Sequence, residues 1–426
     1  MSKHYSASSE EIKRLQWLQL EKQLLYLQKK SGFYQKVFIN NKIEISKISS
    51  YEEFQRIPVT TKEDLQQFNE EFLCVPEKEI IDFVTTSGTL GKPVSFALNE
   101  ADLQRLATNE MESFKTVGVQ SKDVVQITTT LDRRFMAGMA YFLGLRKLGA
   151  GIVRTGSGSP QMQWDSIARF KPKYLVAVPS FLLKMIEYAE THNIDHKNSS
   201  VKAAICIGEP IRDLDFKLNS LGNRISKFWD IELFSTYAST EMATAFTECE
   251  AHRGNHVQQE LIFTEILDDE GNPVKPGETG ELVITTLQVE TMPLLRFATG
   301  DMVSYIDEPC KCGRNSLRLS PVIGRKKQMI KLKGTSLYPQ HIIEVLNDFK
   351  GISSFVIEAN INEIGTDEVV VKIPDSFNAE KMDLLKKHFK SKLQVTPILE
   401  VVSLEVIEKL KFPEGARKPV VFIDYR

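Results

Sequence analysis

The residues best suited to bind phosphate lie together at positions 84–93, in the sequence VTTSGTLGKP. Glycines allow a backbone to turn tightly, so that several N–H groups point into one concavity, and a lysine adds positive charge. The stretch lacks the G-x-x-x-x-G-K-[ST] pattern of a Walker loop, and turns rich in Ser, Thr and Gly are also common structural features. Taken alone, the 84–93 sequence is equally compatible with a phosphate-binding loop and with an ordinary structural turn. Its candidate ligand-binding residues are Thr86, Ser87, Gly88, Thr89, Gly91 and Lys92.

Three of the five cysteines accompany two histidines in the second half of the chain. Cys249 lies in ECEAHRGNHV, where His252 and His256 follow it, and Cys310 and Cys312 lie in EPCKCGR. Three thiolates and one imidazole suit a tetrahedral zinc site, and a Cys/His site without an open position is structural. The alternative is a group of buried free cysteines. A disulfide scaffold is not expected, because the chain has only five cysteines, an odd number. The other two cysteines are predicted to be small buried hydrophobic residues: Cys74 and Cys206.

Length and composition place the chain among ordinary soluble globular proteins. Its 426 residues exceed what one core usually supports, so two or more domains are expected. The net charge of −2 gives no overall electrostatic attraction for nucleic acid. The start, MSKHYSASSEEIKRLQ, lacks the apolar core of a signal peptide, and no apolar run is long enough to span a bilayer. We therefore expect a cytoplasmic protein with neither nucleic-acid nor membrane partners.

Short β-branched runs alternate with longer amphipathic stretches through the middle of the chain. This alternation predicts an α/β fold of layered sheets and helices with substantial parallel sheet, in which ligands bind beyond the carboxyl ends of the strands. From residue 329 the pattern changes to that of a smaller α+β unit. We place the domains at 1–324 and 325–426. The strands are predicted at 124–130, 173–178, 201–207 and 231–237, and the helices at 99–117, 136–148, 164–170 and 181–192.

Five motifs follow one another in a specific order: TTSGTLGKP, GEP, YASTE, PLLRFATGD and GRKKQMIKLKG. In this order and spacing they resemble the adenylate-forming superfamily of acyl- and aryl-CoA synthetases, and within it the branch of phenylacetate–CoA ligase and coenzyme F390 synthetase. The resemblance implies a large N-terminal AMP-binding domain and a small mobile C-terminal lid. It implies two half-reactions, in which a carboxylate and ATP give an acyl-adenylate and pyrophosphate, and the acyl group then passes to a thiol, usually that of coenzyme A.

The resemblance also assigns roles to residues. The loop at 84–93 would hold the β- and γ-phosphates of ATP, Tyr237 would offer an aromatic face to adenine, and Asp301 would accept the ribose hydroxyls. Glu241 is the hard oxygen ligand that Mg²⁺ prefers, and Thr240 would bond the α-phosphate. The remaining nucleotide contacts implied are Gly208, Glu209, Pro210, Ala238, Ser239 and Arg325, the last as a fixed cation near the proposed hinge.

Four residues depart from the pattern of that family. Leu90 stands where the phosphate loop usually has a second threonine, and Ala238 stands where the family has glycine. Ala298 replaces an arginine often found in the fourth motif, and Lys327 occupies a hinge position that is commonly aspartate. None of these changes removes a group that the chemistry requires.

The catalytic lysine of the family lies near the C-terminus, in a pattern like E-G-K-A-x-R-V-x-D, where it meets the carboxylate and the α-phosphate as charge builds. Here the text is EGARKPVVFID. Counting back from Asp424 selects Lys418, whereas counting forward from the glycine selects Ala416. We choose Lys418, with Arg417 and Lys411 as alternatives. The non-catalytic interpretation is that this segment is a basic, solvent-exposed tail.

The same branch has C-x₆-H followed by C-x-C, so His256 is preferred to His252 as the fourth metal ligand. The implied structural zinc site would tie two loops together behind the nucleotide site. Its ligands would be Cys249, His256, Cys310 and Cys312.

Relatives build the acyl pocket after the strand that ends near residue 130. An apolar pocket with aromatic and Met walls suits an aryl or arylacetic acid, although such a stripe at helical spacing is more often core. Arg133 and Arg134, directly before this stretch, could meet a second anionic group of the substrate or the phosphates of coenzyme A, or be solvated. The predicted pocket residues are Phe135, Met136, Gly138, Met139 and Ile205, with Ala238 facing them.

The leading hypothesis is therefore an AMP-forming acid–thiol ligase that uses ATP, Mg²⁺ and coenzyme A on an aromatic acid, with a structural zinc. A second hypothesis changes the acceptor to the phosphopantetheine arm of an acyl or aryl carrier protein, or to an amine or hydroxyl. A third is a nucleotide-binding homologue without catalysis, motivated by Leu90, Ala298 and the irregular lysine region. A homodimer is left open.

Overall fold

The structure is a computed structural model that describes residues 8–86, 94–352, 354–363, 365–413 and 419–426. The chain divides into two compact units. Unit 1 comprises Met1–Thr299 and Val303–Pro321, and unit 2 comprises Gly300–Met302 and Val322–Arg426. The assignment of an AMP-binding domain to 1–324 and a lid to 325–426 stays a prediction.

Unit 1 begins with helices and a hairpin that frames the predicted phosphate loop. The hairpin strands pair antiparallel, with Thr85 opposite Ser95. The next helix, α5, starts two residues after the hairpin, because Asn99 and Asp102 form a capping box at its N-terminus. It ends at Gly118, whose φ of 100° is a left-handed conformation that favours glycine. The elements are α1 (Ser9–Lys30), α2 (Gly32–Asn40), α3 (Tyr51–Phe54), α4 (Lys62–Gln67), β1 (Asp82–Thr85), β2 (Ser95–Leu98) and α5 (Glu100–Val117).

The following segment alternates strands with helices, as the sequence pattern predicts for an α/β fold. The sequence placed α8 from residue 181, but it begins at Pro179, because proline fits the first turn of a helix, where its missing N–H would be unpaired anyway. Pro160 begins α7 in the same way, ahead of the predicted start at 164. The elements are β3 (Val124–Ile127), α6 (Met136–Leu148), β4 (Gly151–Arg154), α7 (Pro160–Phe170), β5 (Tyr174–Ala177), α8 (Pro179–Thr191), β6 (Ala203–Cys206), α9 (Ser220–Phe228) and β7 (Glu232–Ser239).

Later strands extend this sheet and add a second hairpin to unit 1. Among the described residues the largest sheet runs β13-β14-β9-β8-β7-β6-β5-β3-β4, and its section from β7 to β4 is parallel. Strands β10 and β11 pair antiparallel. The strands are β8 (Thr244–Thr247), β9 (Asn255–His256), β10 (Ile262–Leu267), β11 (Gly280–Thr286), β12 (Phe297–Val303), β13 (Tyr305–Ile306) and β14 (Arg318–Leu319). Residues Gly300–Met302 of β12 belong to unit 2.

The central parallel strands β3, β5 and β6 are buried on both faces, which explains their continuous apolar runs. On β5, Tyr174 and Val176 pack into a core cluster with side chains of α5 and α6. Leu175 and Ala177 alternate with them and pack on the opposite side, against α7, α8 and α9. Period-2 alternation thus assigns neighbouring residues to two separate cores, one on each side of the sheet.

Unit 2 is a small α+β body. Its sheet has the order β20-β19-β18-β21, in which β18 and β19 are antiparallel and the outer pairs are parallel. The core lies between this sheet and α10 and α11, with Leu385 and Phe389 of α11 fully buried. The elements are β15 (Gly324–Arg325), β16 (Ile330–Leu332), β17 (Thr335–Leu337), α10 (Pro339–Asp348), β18 (Val356–Ile361), β19 (Asp367–Pro374), α11 (Ala379–Leu393), β20 (Ile398–Val402), α12 (Leu404–Lys411) and β21 (Phe422–Asp424).

Candidate functional site

Two predicted nucleotide-binding motifs follow adjacent strands of the parallel sheet. Gly208, Glu209 and Pro210 follow β6 after one intervening residue, Ile207, and the segment 237–241 includes the end of β7. Strands β6 and β7 pair parallel, with Cys206 opposite Ser235. Both motifs therefore lie at the carboxyl edge of the sheet, where α/β proteins bind ligands.

The Glu209 carboxylate has a specific local role. One oxygen accepts a hydrogen bond from the backbone N–H of Ser180 at 2.8 Å, and the other accepts one from the Ser180 hydroxyl at 2.9 Å. Ser180 lies in the first turn of α8, whose backbone N–H groups lack partners within the helix. The bonds fix the segment after β6 to the start of α8, and Gly208 allows the turn because its φ is 77°.

Tyr237 and Ala238 lie on β7 and face β8. Tyr237 is half-buried, and its ring centroid lies 6.0 Å from that of Phe246, the residue opposite it in the ladder. Ala238 is exposed and pairs with Ala245. The Tyr237 ring thus packs against Phe246 of β8.

Thr240 and Glu241 lie in the turn between β7 and β8, and both are half-buried. Ser239 supports the turn, because its hydroxyl accepts a hydrogen bond from the N–H of Met242 at 3.2 Å. Ala243 closes the turn with an N–H donated to the Thr240 carbonyl at 3.2 Å and has a φ of 46°, which alanine rarely adopts.

The base of the predicted phosphate loop is closed by Thr86, which is buried. Its N–H donates to the Val94 carbonyl and its hydroxyl accepts from the Val94 N–H, both at 3.0 Å. The sequence assigned this hydroxyl to phosphate, whereas here it bonds the backbone. The other predicted loop residues, and the irregular member Leu90, lie outside the described residues: Ser87, Gly88, Thr89, Gly91 and Lys92.

Asp301 and Arg325 lie together within unit 2. They face each other on β12 and β15, and the Arg325 Nε lies 3.3 Å from a carboxylate oxygen of Asp301. The family resemblance implied separate roles for these residues, and their ion pair was not predicted. Lys418 lies outside the described residues, as do Arg417 and Ala416. Lys411 donates to the Ser354 hydroxyl at 2.8 Å.

The predicted acyl-pocket residues occupy different environments. Phe135 precedes α6 and is half-buried, Met136 is buried, and Met139 is exposed. Gly138 allows α6 to approach the preceding loop, because a Cβ there would lie 2.1 Å from the Thr130 carbonyl oxygen. Ile205 lies inside the core cluster that β6 shares with α5 and α6. Their function as an acid pocket stays a prediction.

The structure brings together the donor atoms of Cys249, His256, Cys310 and Cys312, all within 4.8 Å of one another. The Cys249 sulfur lies 3.6 Å from that of Cys310 and 3.3 Å from the His256 Nε2, which lies 3.5 Å from the Cys312 sulfur. Donors of a tetrahedral Cys₃His zinc site lie about 3.5–3.8 Å apart, given the usual zinc–ligand bond lengths. The donor set and its spacing therefore fit such a metal site.

Neighbouring groups orient this cluster. The other ring nitrogen of His256, Nδ1, is hydrogen-bonded to the Ser316 hydroxyl at 2.7 Å, which fixes the direction of Nε2. Burial alone would raise the pKa of the Cys312 thiol, but hydrogen bonds from His256 and Arg314 lower it to about 5. The Cys249 thiol is shifted the other way, because burial and the neighbouring Cys312 and Cys310 raise its pKa. His252 lies apart from the cluster and bonds the Glu248 carboxylate at 3.0 Å.

Sequence reasoning missed an ion pair that links the two regions. The Arg212 Nε donates to both oxygens of Glu248, at 2.9 and 2.7 Å, and both side chains are buried. Arg212 follows the Gly208–Pro210 segment by two residues, and Glu248 directly precedes Cys249. In the sequence, the one indication of this pair is that Arg212 lies near the Gly208–Pro210 motif and Glu248 lies next to Cys249. The pair joins the segment after β6 to the segment that leads into the cysteine cluster.

A family model described as AMP-binding enzyme matches residues 35–291, which is more than half of the chain. The protein therefore belongs to the AMP-binding enzyme family. No helix in the described part of the chain has the length and apolar character needed to cross a membrane.

The chain is similar to curated phenylacetate-coenzyme A ligases. The protein of Thermus thermophilus is 26% identical over 342 residues, covering 79% of this chain and 75% of the relative. That of Aromatoleum evansii is 27% identical over 346 residues, covering 80% and 76%. The solved structure of 2-hydroxyisobutyryl-CoA ligase in its postadenylation state has a TM-score of 0.84 at 23% identity and covers 99% of this chain and 91% of that one. At that identity it shows the shared fold.

Proposed function

We propose that this protein is an AMP-forming acid–thiol ligase. It joins a carboxylic acid to ATP, releasing pyrophosphate, and then transfers the acyl group from AMP to the thiol of coenzyme A. Membership of the AMP-binding enzyme family and similarity to phenylacetate-coenzyme A ligases support this proposal. The observation that carries it is the adjacency of the Gly208–Pro210 and 237–241 segments at the carboxyl edge of one parallel sheet.

In this proposal the sheet edge holds the nucleotide. Tyr237 stacks on adenine beside the backbone of Gly208–Pro210, Thr240 bonds the α-phosphate, and the Glu241 carboxylate holds Mg²⁺. Magnesium would neutralise charge on the phosphates when bound. Ala238 and Ser239 complete the segment, with Ser239 shaping the turn through its bond to Met242.

The residues of the phosphate loop and of unit 2 have proposed roles in the same reaction. The 87–92 segment would bind the β- and γ-phosphates. The hydrogen bond between Thr86 and Val94, which flank this segment, supports its role as a loop. Asp301 would accept the ribose hydroxyls, oriented by its ion pair with Arg325. Lys418 would stabilise charge shared between the substrate carboxylate and the α-phosphate.

We further propose that the acid is aromatic and phenylacetate-like. The names of the curated relatives support this class. The apolar residues before and within α6 agree with it, since aromatic and Met side chains make favourable walls for an aryl group. The pocket residues proposed are Phe135, Met136, Gly138, Met139 and Ile205.

Acid-dependent exchange between pyrophosphate and ATP tests the first half-reaction. We expect exchange with aryl and arylacetic acids and weak exchange with short alkyl acids. Lys418→Ala should abolish exchange, whereas Lys411→Ala, the matched control on α12, should retain it. Nucleotide binding without exchange for any acid would refute catalysis and favour a non-catalytic homologue.

The acceptor is tested separately by incubating protein, ATP and acid with coenzyme A or with a holo-carrier protein. Formation of the coenzyme A thioester without carrier loading is expected. Carrier loading without that thioester would overturn the choice of acceptor but leave adenylation intact.

For the cysteine cluster we propose one structural zinc per chain, held by Cys249, His256, Cys310 and Cys312. Support comes from four donors within 4.8 Å and from the Ser316 bond that orients the imidazole. Elemental analysis of the purified protein should give one zinc per chain. Cys312→Ser should lose the metal and lower the unfolding midpoint, and Cys206→Ala, a buried cysteine in the α7–α9 core, should keep it. Metal-free protein that unfolds at an unchanged midpoint after zinc addition would contradict the proposal.

A further inference from the structure

We propose that Arg105 and Asn109 of α5 are positioning residues that hold the turn carrying Thr240 and Glu241. This inference rests on the proposed function, because it concerns the placement of the α-phosphate and magnesium ligands. We call the pair the α5 clasp. The two residues are four apart on one helix and therefore lie on the same face.

Arg105 is a buried guanidinium whose hydrogen-bonding partners are uncharged. It donates to the carbonyl of Ala243 at 2.6 Å, of Leu287 at 2.7 Å and of Leu261 at 2.5 Å, and to the hydroxyl of Thr244 at 3.0 Å. Burial lowers its pKa to about 10, so it remains charged at neutral pH. Burial of a charge is costly unless hydrogen bonds compensate it, and charge-assisted hydrogen bonds such as these four are strong.

Asn109 is fully buried and bonds Ala245, the second residue of β8, just beyond that turn. Its Oδ1 accepts from the Ala245 N–H at 2.8 Å, and its Nδ2 donates to the Ala245 carbonyl at 3.4 Å. The amide thus bonds both backbone groups of Ala245, as a neighbouring strand would. Strand β9 pairs with β8 only at Thr247, so the side chain of Asn109 takes the place of a strand at this end of β8.

The clasp holds a backbone conformation that alanine does not favour. Ala243 has a φ of 46°, and its carbonyl is bonded by Arg105. Thr244 extends the restraint, because its hydroxyl accepts from Arg105 and donates to the Met242 carbonyl at 3.0 Å. Glu241 lies two residues before Ala243, so relaxation of this turn would move its carboxylate.

The same helix connects a second proposed phosphate site. The hairpin β1–β2 brackets the predicted phosphate loop, and only Asn99 separates β2 from α5. Helix α5 therefore joins the base of that loop to the 240–243 turn. Fixing both segments to one helix keeps their separation constant, which catalysis by pre-arranged charges requires.

The test compares Arg105→Lys and Asn109→Leu with a control, Gln126→Met. Gln126 is equally buried, but its amide bonds Gln163 on α7. Acid-dependent exchange is measured against magnesium, ATP and acid concentration, and thermal unfolding is followed in parallel. Both clasp variants should lower kcat by about 10- to 100-fold, the loss expected when a catalytic group is displaced by about 1 Å. They should also need more magnesium for half-maximal rate, with the KM for the acid unchanged.

A rescue distinguishes positioning from general stability. Glycine adopts a positive φ readily, so adding Ala243→Gly to Arg105→Lys should restore part of kcat even though no contact is regained. The control should lower thermal stability without changing the magnesium dependence. Folded clasp variants with wild-type kcat and magnesium dependence, or a control that shifts both equally, would overturn the inference. If Arg105→Lys does not fold, Asn109→Leu alone decides.

Failure of the proposed function has a different signature. Wild-type protein that shows no acid-dependent exchange refutes ligation and leaves the clasp testable by calorimetry of magnesium–ATP binding. Weaker magnesium-dependent binding in the clasp variants than in wild type and control would then support the clasp, and equal binding would overturn it.

Discussion

Replacing Glu248 by glutamine should destabilise unit 1 strongly. The substitution keeps the side-chain shape but removes the charge that faces Arg212. The two Nε–oxygen distances of 2.9 and 2.7 Å show close pairing, and the side chains are only 8% and 1% exposed. The same carboxylate is bonded to His252. Glutamine would leave the Arg212 guanidinium buried without its counter-charge.

The expected loss is about 3–5 kcal/mol in the free energy of unfolding, the range measured when one partner of a buried ion pair is removed. Two of the other Arg212 bonds, to the carbonyls of Phe216 and Leu233, survive the change and favour the lower end of that range. Adding Arg212→Met should recover part of the loss, because the double variant no longer buries an unpaired charge.

Urea unfolding followed by tryptophan fluorescence is a suitable assay. The three tryptophans, Trp17, Trp164 and Trp229, all belong to unit 1. Trp164 and Trp229 lie 5.1 Å apart between ring centroids, in the core between the sheet and α7–α9. The signal therefore follows the unit that contains the ion pair.

The matched control is Glu44→Gln, which removes an ion pair with Lys47 at 2.8 Å that is largely exposed. Such a surface pair should be worth no more than about 1 kcal/mol. A Glu248→Gln variant as stable as this control, or a double variant whose loss equals the sum of the single losses, would refute the reasoning.

Three further predictions concern other contacts within the fold. Burial raises the pKa of the Glu110 carboxyl from 4.5 to about 8, so the folded state keeps a proton that the unfolded state loses. As the pH rises from 4.5 to about 8, the free energy of unfolding should therefore fall by up to about 1.4 kcal/mol per pH unit more in the wild type than in Glu110→Gln. Urea unfolding at a series of pH values measures this difference. Gly324→Ala places a Cβ 2.2 Å from the Tyr338 ring and should cost unit 2 about 1–3 kcal/mol, measured by hydrogen exchange. Glu209→Ala loses both bonds to Ser180 and should cost about 1 kcal/mol by urea unfolding.

Each of these has a contradicting result. Parallel stability–pH curves for wild type and Glu110→Gln would show that the carboxyl ionises freely in the fold. Unchanged exchange protection after Gly324→Ala would mean that the Tyr338 ring moves aside without cost. A Glu209→Ala variant with wild-type stability would show that water replaces the carboxylate at the start of α8.

Local sequence patterns predicted the elements best where hydrophobic period and end signals agree. The helix Met136–Leu148 begins and ends where the spacing of apolar residues indicates. The short helices Ser220–Phe228 and Leu404–Lys411 were not predicted, because eight or nine residues give too few repeats of the helical period. Their capping residues, Asn219 and Ser403, gave only a weak signal.

The candidate site was predictable in its motifs but not in its supporting contacts. Thr86 is an example. Its position next to a glycine-rich stretch predicts a hydroxyl that binds phosphate, whereas in the structure the hydroxyl bonds the backbone of Val94. Arg105 lies on a helix among polar residues, a pattern typical of a solvent-exposed face, and its partner Ala243 is 138 positions away. Local periodicity carries no information about partners at such separations, so the α5 clasp required the folded structure.

The two-sided packing of the parallel sheet has a consequence for how such a chain can diversify. One residue inserted into β5 would exchange Tyr174 and Val176 with Leu175 and Ala177 between the two cores, and both would be wrongly filled. Length changes are tolerated instead in the loops beyond the strand ends, where backbone is less constrained. Those loops also border the proposed acid and nucleotide sites. The same feature that forbids insertions in the sheet thus directs evolutionary change toward substrate choice.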